Sequence, residues 1–131
     1  MANQIFLEHA ITPLNLGILP DPASPGQARG ACGDVIEMYL RVEDGRVASV
    51  RFMPQGCVHT IACGSMLTSL VDGQPLELAA GIGPEELEAA LGGLPREHRH
   101  CAALAVAALR SALRRYREDL RSPWKRLYAR P

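Results

Sequence analysis

Aromatic residues are scarce in this chain, with one Trp, three Tyr and two Phe, so aliphatic and small side chains must fill most of its core. An excess of either charge is also lacking. Fourteen Lys and Arg face fourteen Asp and Glu, so nothing global points to a nucleic acid or an anionic membrane as partner. No apolar run approaches the roughly 20 residues that span a bilayer. Met1 to Ala10 lack both a basic start and a long apolar stretch, so no leader is expected and the chain reads as cytoplasmic. The glycine-rich pieces Gly26 to Gly33 and Gly81 to Gly83 have no P-loop lysine and no dinucleotide spacing, and are discarded as phosphate cradles.

What is present suffices for one core. A length of 131 residues with 47% hydrophobic content predicts one domain over residues 1–131, with an N-terminal arm over 1–30 and a basic tail over 122–131. The arm is expected to open with a turn or two of helix around Ile5, Phe6 and His9. From Thr12 to Gly30 proline and glycine dominate, which predicts an ordered surface loop or a mobile arm. From Asp34, Ile36, Met38, Leu40 and Val42 alternate with Glu37, Tyr39 and Arg41, as in a half-buried strand. Asp44-Gly45 turns the chain into a second run, Val47 to Met53, with Ala48, Val50 and Phe52 on one face, making a hairpin.

Helical spacing then takes over. Cys63, Met66, Leu67 and Leu70 form a stripe stopped by Asp72-Gly73, and a short helix runs from Pro84 to Leu91 before Gly92-Gly93. Ala102, Val106, Leu109, Leu113, Tyr116 and Leu120 define a long C-terminal helix ended by Pro123. The fold class is therefore α+β: a small antiparallel sheet of about three strands with helices packed on one face.

Three of the four cysteines sit at element boundaries, where a ligand can point outward without breaking a core. Cys32 precedes the hairpin, Cys57 links its second strand to a helix, and Cys101 opens the last helix. In a reducing compartment such cysteines are ligands or reactive thiols rather than disulfides. Helix N-termini at Cys57 and Cys101 favour thiolate, and His100 adds an imidazole. There is no Cys-x-x-Cys pair, so only the fold could make these residues converge.

Three blocks of sequence carry a resemblance. Ala31-Cys32-Gly33-Asp34, Phe52-x-x-x-Gly56-Cys57 leading into Ile61-Ala62-x-x-Ser65, and Leu94-Pro95-x-x-x-x-His100-Cys101 before Leu104-Ala105 resemble, in order, the signature blocks of IscU/NifU-type iron-sulfur scaffolds, the NifU N-terminal domain family. His9-x-x-x-Pro13-x-Asn15-x-Gly17 resembles the family's opening segment. The resemblance implies a scaffold, not an enzyme, on which a transient [2Fe-2S] cluster is built from iron, electrons and sulfur and then given to apo iron-sulfur proteins. It implies Cys32, Cys57 and Cys101 as ligands and persulfide acceptors, with His100 or Asp34 completing the set. A cysteine desulfurase supplies sulfur, and an iron or electron donor is a further partner. Three thiolates and one harder ligand suit a cluster that must leave. Beside them, the Asp34 carboxylate can hold incoming iron and later compete with thiolate for it.

Departures from the pattern bound this expectation. Cys63 stands where the family has a small residue; it is read as packed in the core, or else as sharing a helix face with His59 in an auxiliary metal site. Leu94-Pro95-Arg96-Glu97-His98-Arg99 keeps only Leu94-Pro95 of the Leu-Pro-Pro-Val-Lys segment that a dedicated Hsp70-type chaperone recognises. The chain therefore looks closer to chaperone-independent or NifU-like relatives. His98 takes the place of the lysine, either solvated or approaching the metal with His100. The interval from Cys57 to Cys101 has no room for the insertion of SufU-type relatives, and the chain reads as the scaffold module alone. The alternatives remain a zinc-bound sulfur acceptor of the SufU type, using Cys32, Asp34, Cys57 and Cys101, and a zinc-stabilised adaptor. Zinc suits the same S, N and O donors under every reading. Arg110, Arg114, Arg117 and Arg121 line one stripe, with Trp124 and Tyr128 beyond it, either as a solvated face or as a docking surface for an acidic partner.

Overall fold

The computed structural model describes residues 3–20, 23–31 and 33–122. Cys32 lies outside the described residues, as do Trp124, Tyr128 and all of the expected basic tail after residue 122. The elements run α1 (Gln4–Ile11), β1 (Ser24–Arg29), β2 (Val35–Glu43), β3 (Arg46–Gln55), α2 (Val58–Val71), α3 (Leu76–Gly81), α4 (Pro84–Ala90), a 3-10 turn (Arg96–His98) and α5 (His100–Arg121). The three strands form one antiparallel sheet in the order β1-β2-β3. α5 packs across β1 and β2, and α2 against β3, so the architecture is α+β as expected.

The hairpin forms around Asp44 and Gly45, both at positive φ, 54° and 73°, the geometry a two-residue turn needs to match strand twist. Ile36, Met38 and Leu40 are fully buried on the core face. β3 departs from simple alternation. Arg41 opposes Ser49 while Val42 opposes Val47, which leaves Ala48 as the extra residue of a bulge. Val47 is consequently buried and Ala48 exposed, the reverse of what the pattern predicts. Burying valine in place of alanine gains two carbons of apolar burial, roughly 1.5 kcal/mol at about 0.8 per CH2.

β1 lies inside the stretch expected to be a loop or mobile arm, and corrects that expectation. Pro25 is tolerated because β1 is an edge strand. Gly26 is required. It opposes Met38, which opposes Phe52, so the three share a core-facing row, and a Cβ on Gly26 would overlap the α5 backbone at Ser111 and Ala112. The Gln27 N–H donates to Ser111 Oγ at 3.2 Å. On the far side of the sheet, Phe52 N–H donates to Asn15 O (3.0 Å) and Gly17 N–H to Phe52 O (2.9 Å). Val47 likewise exchanges bonds with Gln74 O and Gly73 N–H.

The segment from His9 to Gly17 is thus anchored. Ser65 Oγ of α2 accepts from Leu14 N–H at 2.8 Å and meets His9 Nδ1 at 2.6 Å. Asn15, at φ 63°, donates to Thr68 Oγ1 at 3.2 Å. Asn3 caps α1 through Phe6 N–H and ties it to Leu91 O.

Two helices meet the sheet closely. Gly64 of α2 lies over Phe52, whose ring a Cβ would overlap. Glycine inside a helix costs about 1 kcal/mol relative to alanine, which the complete burial of Phe52, worth about 2–3 kcal/mol, exceeds. On the stripe read for α2, Cys63, Met66 and Leu67 are buried and Leu70 is half-buried. On α5, Ala102, Val106, Leu109 and Leu113 are buried, joined by Leu104, Ala105, Ala108 and Ala112, but Leu120 is 62% exposed and not part of the core. The stripe alone had also given no sign of α3. No helix among the described residues is long and apolar enough to cross a membrane.

Candidate metal centre

Val35 pairs with both Arg29 and Gln55, so the β1–β2 connection and the β3–α2 connection emerge side by side at one end of the sheet. The first turn of α5 joins them, with Leu104 beside Gly30 and Asp34. Asp34, Cys57, His98, His100 and Cys101 all belong to these junctions.

Cys57 is the N-cap residue of α2 and is exposed. Burial alone would raise its thiol, but backbone N–H groups of Thr60 and His59, with the Thr60 hydroxyl, outweigh that and hold it below the ordinary thiol value. The helix start therefore favours thiolate at Cys57, as anticipated. Cys101 corrects the same expectation. It is fully buried, and burial pushes its thiol up to about 11 despite a contact with Thr60. It also does not point outward as a boundary cysteine was expected to; it lies in the floor of the site.

Thr60, fully buried, links the two thiols: its Oγ1 lies 3.8 Å from Cys57 Sγ and 3.6 Å from Cys101 Sγ. Around them two groups of potential ligands form. In one, the donor atoms of Cys57, His98 and Cys101 lie within 4.8 Å of one another; in the other, those of Asp34, His100 and Cys101 do so. His100 Nε2 is 3.6 Å from Asp34 Oδ2 and 3.7 Å from Cys101 Sγ. His98 Nδ1 is 4.0 Å from Cys57 Sγ. The set mixes soft thiols with imidazole and one carboxylate, suited to iron or zinc.

Among the described residues the fold therefore gathers every ligand candidate except Cys63. That thiol is buried within the core cluster and belongs to neither group, and burial raises it far above the ordinary thiol value. His59 does not pair with it. Instead the His59 ring stacks on His98, centroids 3.6 Å apart and planes 6° apart, with Phe6 packed on His59 at 5.1 Å. Thr60 and the His59–His98 stack escaped the sequence reading. The only available signal was a hydroxyl and an imidazole in the first turn after Cys57.

The sequence profile of the family described as the NifU-like N terminal domain matches residues 1–122. A nitrogen fixation protein NifU of Cereibacter sphaeroides is 47% identical over 111 residues, which cover 84% of this chain and 45% of that protein. An iron-sulfur cluster assembly scaffold protein IscU of Archaeoglobus fulgidus is 36% identical over 113 residues, 86% of this chain and 73% of its own length. This chain thus spans under half of the NifU relative and about three quarters of the IscU relative. Among solved structures, a nitrogen-fixing NifU-like protein (N-terminal) from Brucella abortus superposes with a TM-score of 0.65 at 18% identity, over 92% of this chain and 94% of that one. A candidate scaffold for the SUF system from Fervidobacterium islandicum gives 0.68 at 13% identity, over 82% and 93%. At these identities the two structures show a shared fold.

Proposed function

Since this chain belongs to the NifU-like N-terminal domain family, we propose that it is a scaffold on which a [2Fe-2S] cluster is assembled and from which it passes to apo-proteins. The observation that carries this reading is the convergence of Asp34, Cys57, His98, His100 and Cys101 at one end of the sheet, in two ligand groups that share Cys101. Iron and sulfur are the cargo. Its role is that of a carrier, without turnover of a substrate.

Among the described thiols, Cys57 is the one best placed to receive sulfur, being exposed and held toward thiolate. Its thiolate attacks the terminal sulfur of a persulfide on a cysteine desulfurase; the donor S–S bond breaks and the donor cysteine leaves as thiolate. Two electrons from an external donor then reduce the bound sulfur to sulfide and return Cys57 as thiolate. Asp34 and His100 offer oxygen and nitrogen to ferrous iron beside Cys101. Ligands harder than thiolate hold that iron less firmly, which favours release. Cys32 joins the set on the resemblance of its sequence block. The competing reading, a zinc-bound sulfur acceptor, draws on Cys32, Asp34, Cys57 and Cys101.

Anaerobic reconstitution with ferrous iron, cysteine and a cysteine desulfurase tests the proposal. Visible cluster absorption with matched iron and acid-labile sulfide is expected in the parent and is expected to collapse in Cys32→Ser, Cys57→Ser and Cys101→Ser. Persulfide formation on tightly zinc-loaded protein without a cluster would overturn the scaffold reading in favour of the sulfur acceptor.

A further inference from the structure

We propose that sulfur received at Cys57 is passed within the chain to Cys101, and that the Thr60 hydroxyl carries the proton this transfer requires. From the proposed function the inference takes only that Cys57 is the first acceptor.

Burial sets the problem. Cys57 is exposed and Cys101 fully buried, so a persulfide on another protein reaches the first thiol and not the second. The two Sγ atoms nevertheless lie within 4.8 Å of each other. Two S–S bonds of about 2.05 Å set in line put their outer sulfurs roughly 4.1 Å apart, and further when both are half-formed. That is a gap one sulfur atom bridges. Rotation about the Cys57 Cβ–Sγ bond turns a terminal sulfur toward Cys101 without moving the backbone.

Thr60 stands beside this path. Its side chain is fully buried, and its Oγ1 meets Cys57 Sγ at 3.8 Å and Cys101 Sγ at 3.6 Å, with no further side-chain hydrogen-bond partner among the described residues. A helical threonine commonly turns its hydroxyl back to the carbonyl one turn earlier, as Thr68 does toward Gly64 O at 2.9 Å. Thr60 gives its hydroxyl to sulfur instead. Gly56 leaves the space for it, since a Cβ there would come within 2.8 Å of Thr60 Oγ1.

The step balances without an oxidant or a reductant. At its start Cys57 carries a persulfide anion and Cys101 a thiol. Thr60 gives its hydroxyl proton to the terminal sulfur and takes the Cys101 proton in exchange. The Cys101 thiolate then attacks the terminal sulfur; an S–S bond forms on Cys101 and the S–S bond on Cys57 breaks. Cys101 ends as a neutral persulfide and Cys57 as thiolate. Negative charge thereby moves to the N-cap of α2, where a helix start favours it, and the thiol that is the better thiolate is also the faster leaving group. A [2Fe-2S] cluster takes two sulfides. The transfer clears Cys57 for a second sulfur while the first waits on Cys101, and two electrons from the external donor release each as sulfide.

The metal-free chain is given one equivalent of cysteine and a catalytic amount of cysteine desulfurase, without iron or reductant. Samples are quenched in excess alkylating reagent, and peptide mass spectrometry locates the added sulfur. In the parent it should appear first on Cys57 and then on Cys101. A positioned proton carrier contributes about 100- to 10,000-fold, so Thr60→Val, of nearly the same shape, is expected to load Cys57 as the parent does but to fill Cys101 roughly a hundredfold more slowly. Thr60→Ser is expected to restore the second step, and Cys57→Ser to leave Cys101 bare. Circular dichroism confirms that the variants fold. Sulfur on Cys101 in Cys57→Ser, sulfur that moves from Cys57 only to Cys32, or an unchanged second step in Thr60→Val overturns the proposal. A chain that relays sulfur to Cys101 but builds no cluster once iron and reductant are added overturns the scaffold reading alone. One that builds a cluster while Cys101 never carries sulfur overturns this proposal alone.

Discussion

Cys57 and Cys101 touch the same threonine hydroxyl yet have opposite acidities. The start of α2 supplies N–H donors to one, and the core withholds water from the other. The sign of each shift fixes the order in which they react. A lowered thiol value means that thiolate persists to lower pH than in an ordinary cysteine; a raised one means that thiolate appears only as pH climbs toward about 11. In the metal-free protein, iodoacetamide is therefore expected to label Cys57 well before Cys101 at pH 7 to 8, with Cys63 unlabelled. Peptide mass spectrometry over a pH series checks this, and equal labelling of Cys57 and Cys101 at neutral pH would refute it. Such asymmetry also explains why the boundary positions of the cysteines were legible in the sequence and their protonation was not. Helix N-termini can be read from spacing, whereas the burial of Cys101 depends on how deeply α5 seats against α2.

At the scale of elements, two glycines decide how near the helices come to the sheet. Replacing Gly64 with alanine improves helix propensity by about 1 kcal/mol but drives a methyl group into the Phe52 ring. Overpacking of that kind costs about 1–3 kcal/mol, so the balance falls on the side of destabilisation. Gly26→Ala is expected to cost more, since its neighbour is the α5 backbone at Ala112 and not a side chain that can turn aside. Urea unfolding midpoints should fall in the order parent, Gly64→Ala, Gly26→Ala; the reverse order for the two variants would mean that α5 yields more readily than Phe52. The same packing shows why β1 was hidden. Pro25 and Gly26 remove the alternation by which strands are recognised, and the residue that makes the strand fit is one without a side chain. Where side chains do carry the pattern, as in Ile36, Met38 and Leu40 or in Val106, Leu109 and Leu113, the elements were legible. The bulge at Ala48 was not, because a period of two cannot announce its own interruption.

On the whole molecule, a neutral total conceals a local excess of charge. Arg110, Arg114, Arg117 and Arg121 are exposed along one side of α5 and line, with Ala80 and Leu113, a groove of about 380 Å3. If this stripe guides a cysteine desulfurase with an acidic surface to the scaffold, association should slow steeply as salt rises past 0.1 M, where screening acts within about 10 Å. Arg114→Glu with Arg117→Glu should slow it further while leaving the dissociation rate nearly unchanged. Stopped-flow association that ignores both salt and charge reversal would assign the stripe to solvation. The convergence of three junctions at one end of the sheet was legible only through resemblance of the three sequence blocks, because no local spacing encodes it. The borders of the sheet impose a last condition on every partner. On one side β1 offers Pro25, which has no N–H, and Gln27, whose N–H is given to Ser111; on the other, β3 spends Phe52 and Val47 on the chain's own segments. Strand addition, the commonplace way for a peptide to join a sheet, therefore has little to grip on either side. A protein partner is left with helix faces and the junction end, and one that docks at that end comes face to face with the thiols.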